Sequence, residues 1–143
     1  MNTFHLDILA ADDPFYTGRC ESLIVSSLQG KYGILPHHSN MILAVIPGAL
    51  FYRPAGEDDQ IIAVSHGLVK VENNTVLVLV DSLERVEDID ANRAKRAADA
   101  AREIILQNRS MKEYRAAQAR LARALNRLRV KGNYGLATIR RKK

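Results

Sequence analysis

The sequence predicts an α+β chain of two parts: an N-terminal antiparallel β-sandwich, then a C-terminal antiparallel α-helical hairpin. Three observations carry this. Short alternating or β-branched apolar runs, separated by turn residues, fill the chain as far as Val80, the signature of a sandwich or barrel. After Gly67 there is no glycine until Gly132 and no proline at all, and apolar residues there recur at helical spacing. The charge also changes sign. Met1 to Glu84 carries 4 Lys/Arg against 10 Asp/Glu, and Arg85 to Lys143 carries 17 against 6. A net of −6 followed by +11 marks two parts with different partners or solvent roles. With 47% hydrophobic residues the chain can build a packed core.

In the first part, Phe4, Leu6 and Ile8 alternate with His5 and Asp7, the period of a half-buried strand. Leu23-Ile24-Val25 and Met41 to Ile46 are short apolar runs. Ile61 to Val64, Leu68 to Val71 and Thr75 to Val80 are β-branched and close together. Asn73-Asn74 lies between the last two and predicts a hairpin turn, because Asn tolerates the left-handed conformation. Gly18, Gly30, Gly33, Pro36, Pro47-Gly48, Pro54, Gly56 and Gly67 read as punctuation.

In the second part, Asp88 and Asp90 are candidate N-caps, since a short carboxylate accepts from the free amides of a first turn. Beyond them Ala94, Ala97, Ala98, Ala101, Ile104 and Ile105 form one face, mostly alanine, that a partner helix can approach closely. Gln107-Asn108-Arg109 ends this helix. Ser110-Met111-Lys112-Glu113 is a capping box that opens the next. Tyr114, Ala117, Leu121, Ala124, Leu125 and Leu128 lie on one side of the second helix. Gly132-Asn133-Tyr134-Gly135 is expected to stop it. The short link makes the pair an antiparallel hairpin. The expected division is a sandwich over 1–85, a hairpin over 86–132 and a basic tail over 133–143.

No apolar run reaches the roughly 20 residues of a membrane span. The N-terminal residues have no basic stretch followed by an apolar core, so no signal or transit peptide is expected. Cys20 is the only cysteine. That excludes an intramolecular disulfide and fits a reducing compartment. Phosphate-loop, dinucleotide and nucleophile-elbow motifs are absent. His5, His37, His38 and His66 lack metal-ligand spacing, and neighbours such as His37 and His38 on a strand would face opposite ways. No nucleophile–base pair can be placed, so neither a catalytic nor a metal site is expected. Cys20 reads as a small buried thiol. Arg120, Arg123 and Arg127 share a stripe of the second helix. Three readings fit it: a solvated face whose arginine stems cover apolar surface, a nucleic-acid backbone site, or a site for an acidic protein or small phosphate ligand.

Several segments resemble one family in order. Gly30-Lys31-Tyr32-Gly33-Ile34-Leu35-Pro36-His37-His38 is similar to the Gly-x-x-Gly-Ile-x-Pro-x-His loop of ATP synthase epsilon subunits, and Pro47-Gly48 follows at the family's spacing. His66 to Val71 and Asn74 to Asp81 resemble its next two strands. Ile89-Asp90-Ala91-Asn92-Arg93-Ala94 matches the first-helix motif, and Arg123 to Val130 resembles the second helix. The resemblance covers residues 3 to 131. His38 is followed by Ser39-Asn40, where the family commonly has Ala-Pro, and residues from Gly132 onward match no family pattern.

The resemblance implies a sandwich of about ten strands that docks beside the gamma subunit and rests on the c-ring, helping turn ion flow into rotation. Lys31, Tyr32, Leu35 and His38 would lie in the loop region facing the c-ring and gamma, with Gly30, Gly33 and Pro36 setting its turn geometry. The hairpin would be a switch that extends toward the alpha/beta catalytic head and obstructs ATP hydrolysis. The family also implies ATP as a regulatory ligand, not hydrolysed. Its binding residues would be Glu84, Ile89, Asp90, Arg93 and Ala94 on the first segment, with Arg123 and Arg127 on the second. At Asp90 and Arg93 the alternative is a helix cap and a salt bridge. The implied setting is peripheral, on the cytoplasmic face of a bacterial membrane, in a non-catalytic subunit with no required cofactor and no nucleic-acid partner.

Overall fold

Strand β1 (Phe4–Ala10) turns a simple pattern into a core: Phe4, Leu6 and Ile8 are at most 1% exposed, and His5 and Asp7 face outward. A strand's side chains alternate between its two faces, so one sequence period sets both the core and the surface. The computed structural model describes residues 2–11, 13–107 and 110–142, with side chains as far as Tyr134. It falls into two units, Met1–Glu84 and Arg85–Lys143.

The first unit adds β2 (Asp13–Ser27), β3 (Gly30–Ile34), β4 (Met41–Val45), β5 (Gly48–Pro54), β6 (Gln60–Val64), β7 (Gly67–Glu72), β8 (Thr75–Val80) and β9 (Leu83–Arg85). The strands follow the order β4-β7-β8-β1-β2-β5-β6-β9, with β3 also paired to β2. The path folds over on itself: Leu6, Val69 and Val78 from one end share a single buried cluster with Leu50, Ile62 and Val64 from the other.

Three features add to the expectation. The described residues form nine strands where about ten are implied. The reason is the 15-residue β2, which fills two places. Its first half pairs with β1 up to Cys20, and its second half pairs with β5 and β3. The register shifts between Cys20 and Ser22 at this exchange, where an extra residue bends a strand. Second, β1 and β8 run parallel, whereas β7 and β8 are antiparallel. Parallel neighbours need a long crossover, and here most of the domain lies between them. Third, Pro47-Gly48 and Pro54 bracket β5 instead of marking loop alone. Pro54 sits at a strand end, where its missing N–H costs little.

The predicted hairpin turn is present. Asn73 and Asn74 have φ of 50° and 62° between the paired residues Glu72 and Thr75, the double positive φ of a type I′ turn. At the other end of this hairpin, Gly67 has no room for a side chain. A Cβ there would overlap the Leu79 carbonyl oxygen and lie 2.8 Å from Val80 Cα.

In the second unit a 3₁₀ turn (Val86–Asp88) leads to helices α1 (Ala91–Gln107) and α2 (Met111–Lys142). Ala94, Ala98 and Ala101 of α1 and Ala117 and Ala124 of α2 are at most 2% exposed, which is where the two helices pack. Asn108 and Arg109, expected to end α1, lie outside the described residues. The expected stop at Gly132 is overturned, because α2 continues to Lys142. Gly132 does not take up the positive φ of a helix-ending glycine. A mid-helix glycine costs about 1 kcal/mol, too little to halt a long helix that gains a hydrogen bond with each residue. Residues 133–142 therefore continue the helix.

Two outcomes follow. Gly67→Ala is expected to destabilise the first unit by about 1–3 kcal/mol, read as a lower denaturant midpoint with an unchanged slope. Cys20 is fully buried and its Sγ donates to Tyr16 Oη at 3.5 Å. Burial pushes both the thiol and the Tyr16 phenol up. Below the ordinary thiol value of 9.0 both states are protonated and stability is unaffected. Above it the unfolded chain loses its proton first, so stability falls as pH rises. A maleimide reagent at pH 8 should label native Cys20 at least about a hundredfold more slowly than the unfolded chain. Equal rates would show that the thiol is not buried.

Candidate functional site

The residues expected to bind a nucleotide fall on three elements. Asp90 caps α1: its Oδ1 accepts from Arg93 N–H at 3.1 Å, and its carbonyl accepts from Ala94 N–H at 3.0 Å. Of the two candidate caps, Asp90 therefore serves, and Asp88 closes the 3₁₀ turn. Ile89 is 4% exposed, Ala94 faces α2, and Arg93 is exposed in the first turn. Glu84 stands apart in this division, on β9 at the end of the first unit.

The basic partners lie on α2. Ser110 Oγ accepts from Glu113 N–H at 3.1 Å and caps this helix as the sequence predicts. Arg123 and Arg127 are half-buried, and Arg127 is engaged in polar contacts. One long-range bond fixes their level: Lys131 Nζ donates to Val86 O at 3.1 Å. Val86 precedes α1, so α2 runs antiparallel to it and reaches the base of the hairpin at Lys131. Helices rise about 1.5 Å per residue. Moving four residues back from Lys131 brings Arg127 level with the first turn of α1, and four more bring Arg123 about one turn further. The first turn of α1, with Asp90 and Arg93, is thus level with the stretch of α2 that carries Arg123 and Arg127.

This arrangement favours an anion. Amides of the first turn of α1 are the positive end of its dipole, and two arginines one turn apart match phosphate or carboxylate oxygens. After Glu113 the chain carries ten Lys/Arg and no Asp/Glu, so α2 presents a continuous positive potential. Near the base, Asn126 is 3% exposed and its Oδ1 accepts from Arg129 Nη2 at 3.2 Å. Sequence reasoning missed Lys131 and Asn126. Both sit inside the family-like second-helix segment or beside it, but their partners are set by the fold.

The second predicted site is half strand and half turn. Lys31 and Tyr32 belong to β3, paired with Ser26 and Val25 of β2, so they are not in a loop. The pairing is possible because Gly30, at φ 113°, takes the turn that starts β3. Lys31 Nζ lies 5.3 Å from the Phe51 ring centroid, a cation–π distance. His38 N–H donates to Leu35 O at 3.2 Å, closing a turn with Pro36 second and His37 third. His37 has φ 65°, the positive value a type II turn demands. The His pair therefore lies in a turn and not on a strand: His37 takes part through its backbone, and His38 through its ring. His38 Nδ1 donates to Ser39 O at 2.8 Å, so in the neutral ring Nε2 accepts from Tyr32 Oη at 3.0 Å.

This turn is tied to the β7–β8 turn. His37 N–H donates to Asn74 Oδ1 at 2.7 Å, and Asn73 N–H donates to Asn40 Oδ1 at 3.0 Å. Leu35 is 63% exposed at the tip. An apolar tip on a pinned turn suits contact with another surface.

Among the described residues no three His, Cys, Asp or Glu side chains gather as a metal site, and no helix is long and apolar enough to cross a membrane. His5, Asp7 and Thr17 form a hydrogen-bonded surface network on β1 and β2.

Comparison with known proteins gives the family. Residues 3–86 match the ATP synthase delta/epsilon chain β-sandwich domain, and residues 87–132 match the delta/epsilon chain long α-helix domain. The chain is 36% identical over 131 residues to an ATP synthase epsilon chain of Nitratidesulfovibrio vulgaris, covering 92% of this chain and 97% of that one. It is 37% identical over 129 residues to ATP synthase epsilon chain 2 of Photobacterium profundum, covering 90% and 88%. Its fold is similar to a chain in the Euglena gracilis mitochondrial ATP synthase, with TM-score 0.76 at 17% identity, covering 88% of this chain and 79% of that one. Both domains of the family are present in order, over nearly the whole length of these bacterial relatives, and the chain belongs to the ATP synthase delta/epsilon family as an epsilon subunit of the F type.

Proposed function

We propose that this epsilon subunit works in the central stalk, joining the gamma subunit to the c-ring through its sandwich and restraining ATP hydrolysis through its hairpin. The sandwich surface at Lys31, Tyr32, Leu35 and His38 faces the c-ring and gamma in this reading. The tied turn gives it the rigidity that torque transfer requires. The chain is a non-catalytic subunit that binds no nucleic acid, peripheral on the cytoplasmic face of the membrane. Its fold also resembles a chain in the Tetrahymena thermophila ATP synthase central stalk and c-ring, with TM-score 0.65 at 14% identity, covering 89% of this chain and 95% of that one.

The observation that carries the regulatory half is the alanine packing of a strongly basic hairpin. Every fully buried side chain from α1 through Ala124 of α2 is alanine among the described residues. Burying a methyl contributes only about 1 kcal/mol, so the helices are held by little and can part. The acid-free face of α2 then suits an acidic surface on the alpha/beta head. In the folded hairpin, ATP lies against Ile89, Asp90, Arg93, Ala94, Arg123 and Arg127; Glu84, the remaining residue of the expected set, belongs to the sandwich unit. It favours the folded form to the extent that it binds that form better, and it is a ligand, not a substrate.

Deleting the chain from Val86 onward is expected to raise ATP hydrolysis by the whole complex severalfold while leaving the sandwich docked. Unchanged hydrolysis would exclude an inhibitory hairpin. Titration calorimetry of ATP into the full chain should give saturable 1:1 binding that Arg123→Ala/Arg127→Ala weakens about tenfold or more, one lost charged contact contributing about 1.5–3 kcal/mol. No heat at millimolar ATP would reduce the motif to capping and helix packing.

A further inference from the structure

The hairpin is unevenly held. Along its shaft the fully buried side chains are alanines. At its base they are larger: Val86 is 0% exposed, Val130 is 1% and Ile89 is 4%. There α2 packs on the 3₁₀ turn, and Lys131 Nζ reaches Val86 O across 45 residues of chain. That carbonyl also accepts from Ile89 N–H at 3.3 Å, so one oxygen joins the 3₁₀ turn to α2. The buried Asn126 and its bond from Arg129 lie one turn away on the same helix.

We infer that this base is the latch of the hairpin, and that the Lys131 ammonium on the Val86 carbonyl is the contact that decides whether α2 stays on α1. The inference rests on the proposed switch and names the residue that holds it closed. Position supports the assignment. Val86 lies two residues beyond the last residue of the sandwich unit, so a bond to it fixes the far part of α2 at the point where the hairpin leaves its anchor. Releasing a contact near the tip would free only a few residues. Releasing this one frees α2 to part from α1 along its length.

Chemistry supports it too. An ammonium on the carbonyl of a buried residue is a charge-assisted bond, stronger than a neutral one. Its loss leaves the Val86 oxygen with the Ile89 amide, and the alanine shaft buries little area with which to compensate. Arg127 lies one turn from Lys131, so an anion held there would bridge the helices beside the latch and reinforce it.

Hydrogen exchange on the full chain tests this with two variants. Lys131→Met keeps the aliphatic stem and removes the donor, and Lys131→Arg keeps a charged donor. Amides of α1 and of α2 up to Val130 should exchange about tenfold faster in Lys131→Met, the effect of losing one charged hydrogen bond, and near the wild-type rate in Lys131→Arg. Amides of β1 and β8 should be unchanged in both, which reports that the sandwich is intact. Equal helix rates in wild type and Lys131→Met would overturn the latch. So would acceleration in Lys131→Arg as large as in Lys131→Met. The truncation from Val86 reads the other claim separately. Fast exchange in Lys131→Met with hydrolysis indifferent to truncation would keep the latch and remove the switch, and the converse would keep the switch and remove the latch.

Discussion

The first unit depends on β2. It gives its first half to β1 and its second to β5 and β3, and so carries the sheet from one side of the core to the other. A strand that changes partner must bend, and the register shift between Cys20 and Ser22 falls at that change. The fully buried Cys20 and Leu23 lie on either side of it, so the bend is packed from within. With β2 in place, β1 lies between β2 and β8, and the β7–β8 hairpin completes the layer by laying β8 parallel to β1. The turn at Asn73-Asn74 is then brought against the Leu35–His38 turn, where Asn74 Oδ1 accepts from His37 and Asn74 Nδ2 donates to Thr3 O. The c-ring-facing turn of the proposed function is held by this network, not by its own sequence alone.

The second unit follows another logic. Its helices meet on methyl groups, and its charge is almost all of one sign beyond Glu113. Close alanine packing permits a snug fit but buries little area, and area is what sets hydrophobic stabilisation. Like charges along α2 repel and lower the cost of separation, an effect that salt screens over about 10 Å. Such an element sits at the low-stability end of a protein, where moving parts are drawn from. The larger side chains at the base concentrate the remaining stability in one place.

Much of this was legible from local chemistry. The alternation of Phe4, Leu6 and Ile8 named one strand and its buried face. Asn73-Asn74 named a turn that requires two positive φ values. Asp90 and Ser110 named the helix starts, since few residues can serve free first-turn amides. Other features were hidden for stated reasons. The first half of β2, Asp13 to Ser22, shows no clear apolar alternation because Gly18 and polar residues interrupt it, although Phe15 and Tyr16 pack against the core and Cys20 is buried in it. Gly132 looked like a stop, but glycine ends a helix only when its backbone turns left-handed, and nothing local decides that. The family resemblance places Lys31 and Tyr32 in a loop region, yet pairing with β2 makes them strand.

The sequence by itself determined the two architectures, the helix caps, the hairpin turn, the split of charge and the family. All of these are written in residues close together along the chain, where sterics and hydrogen bonding act without help from distant segments. Only the tertiary structure decided that β2 serves two partners, that β8 runs parallel to β1, that His37 and His38 share a pinned turn, and that Lys131 meets Val86. Each of these joins residues far apart in the chain, and a single side chain carries no mark of the partner that folding will bring to it.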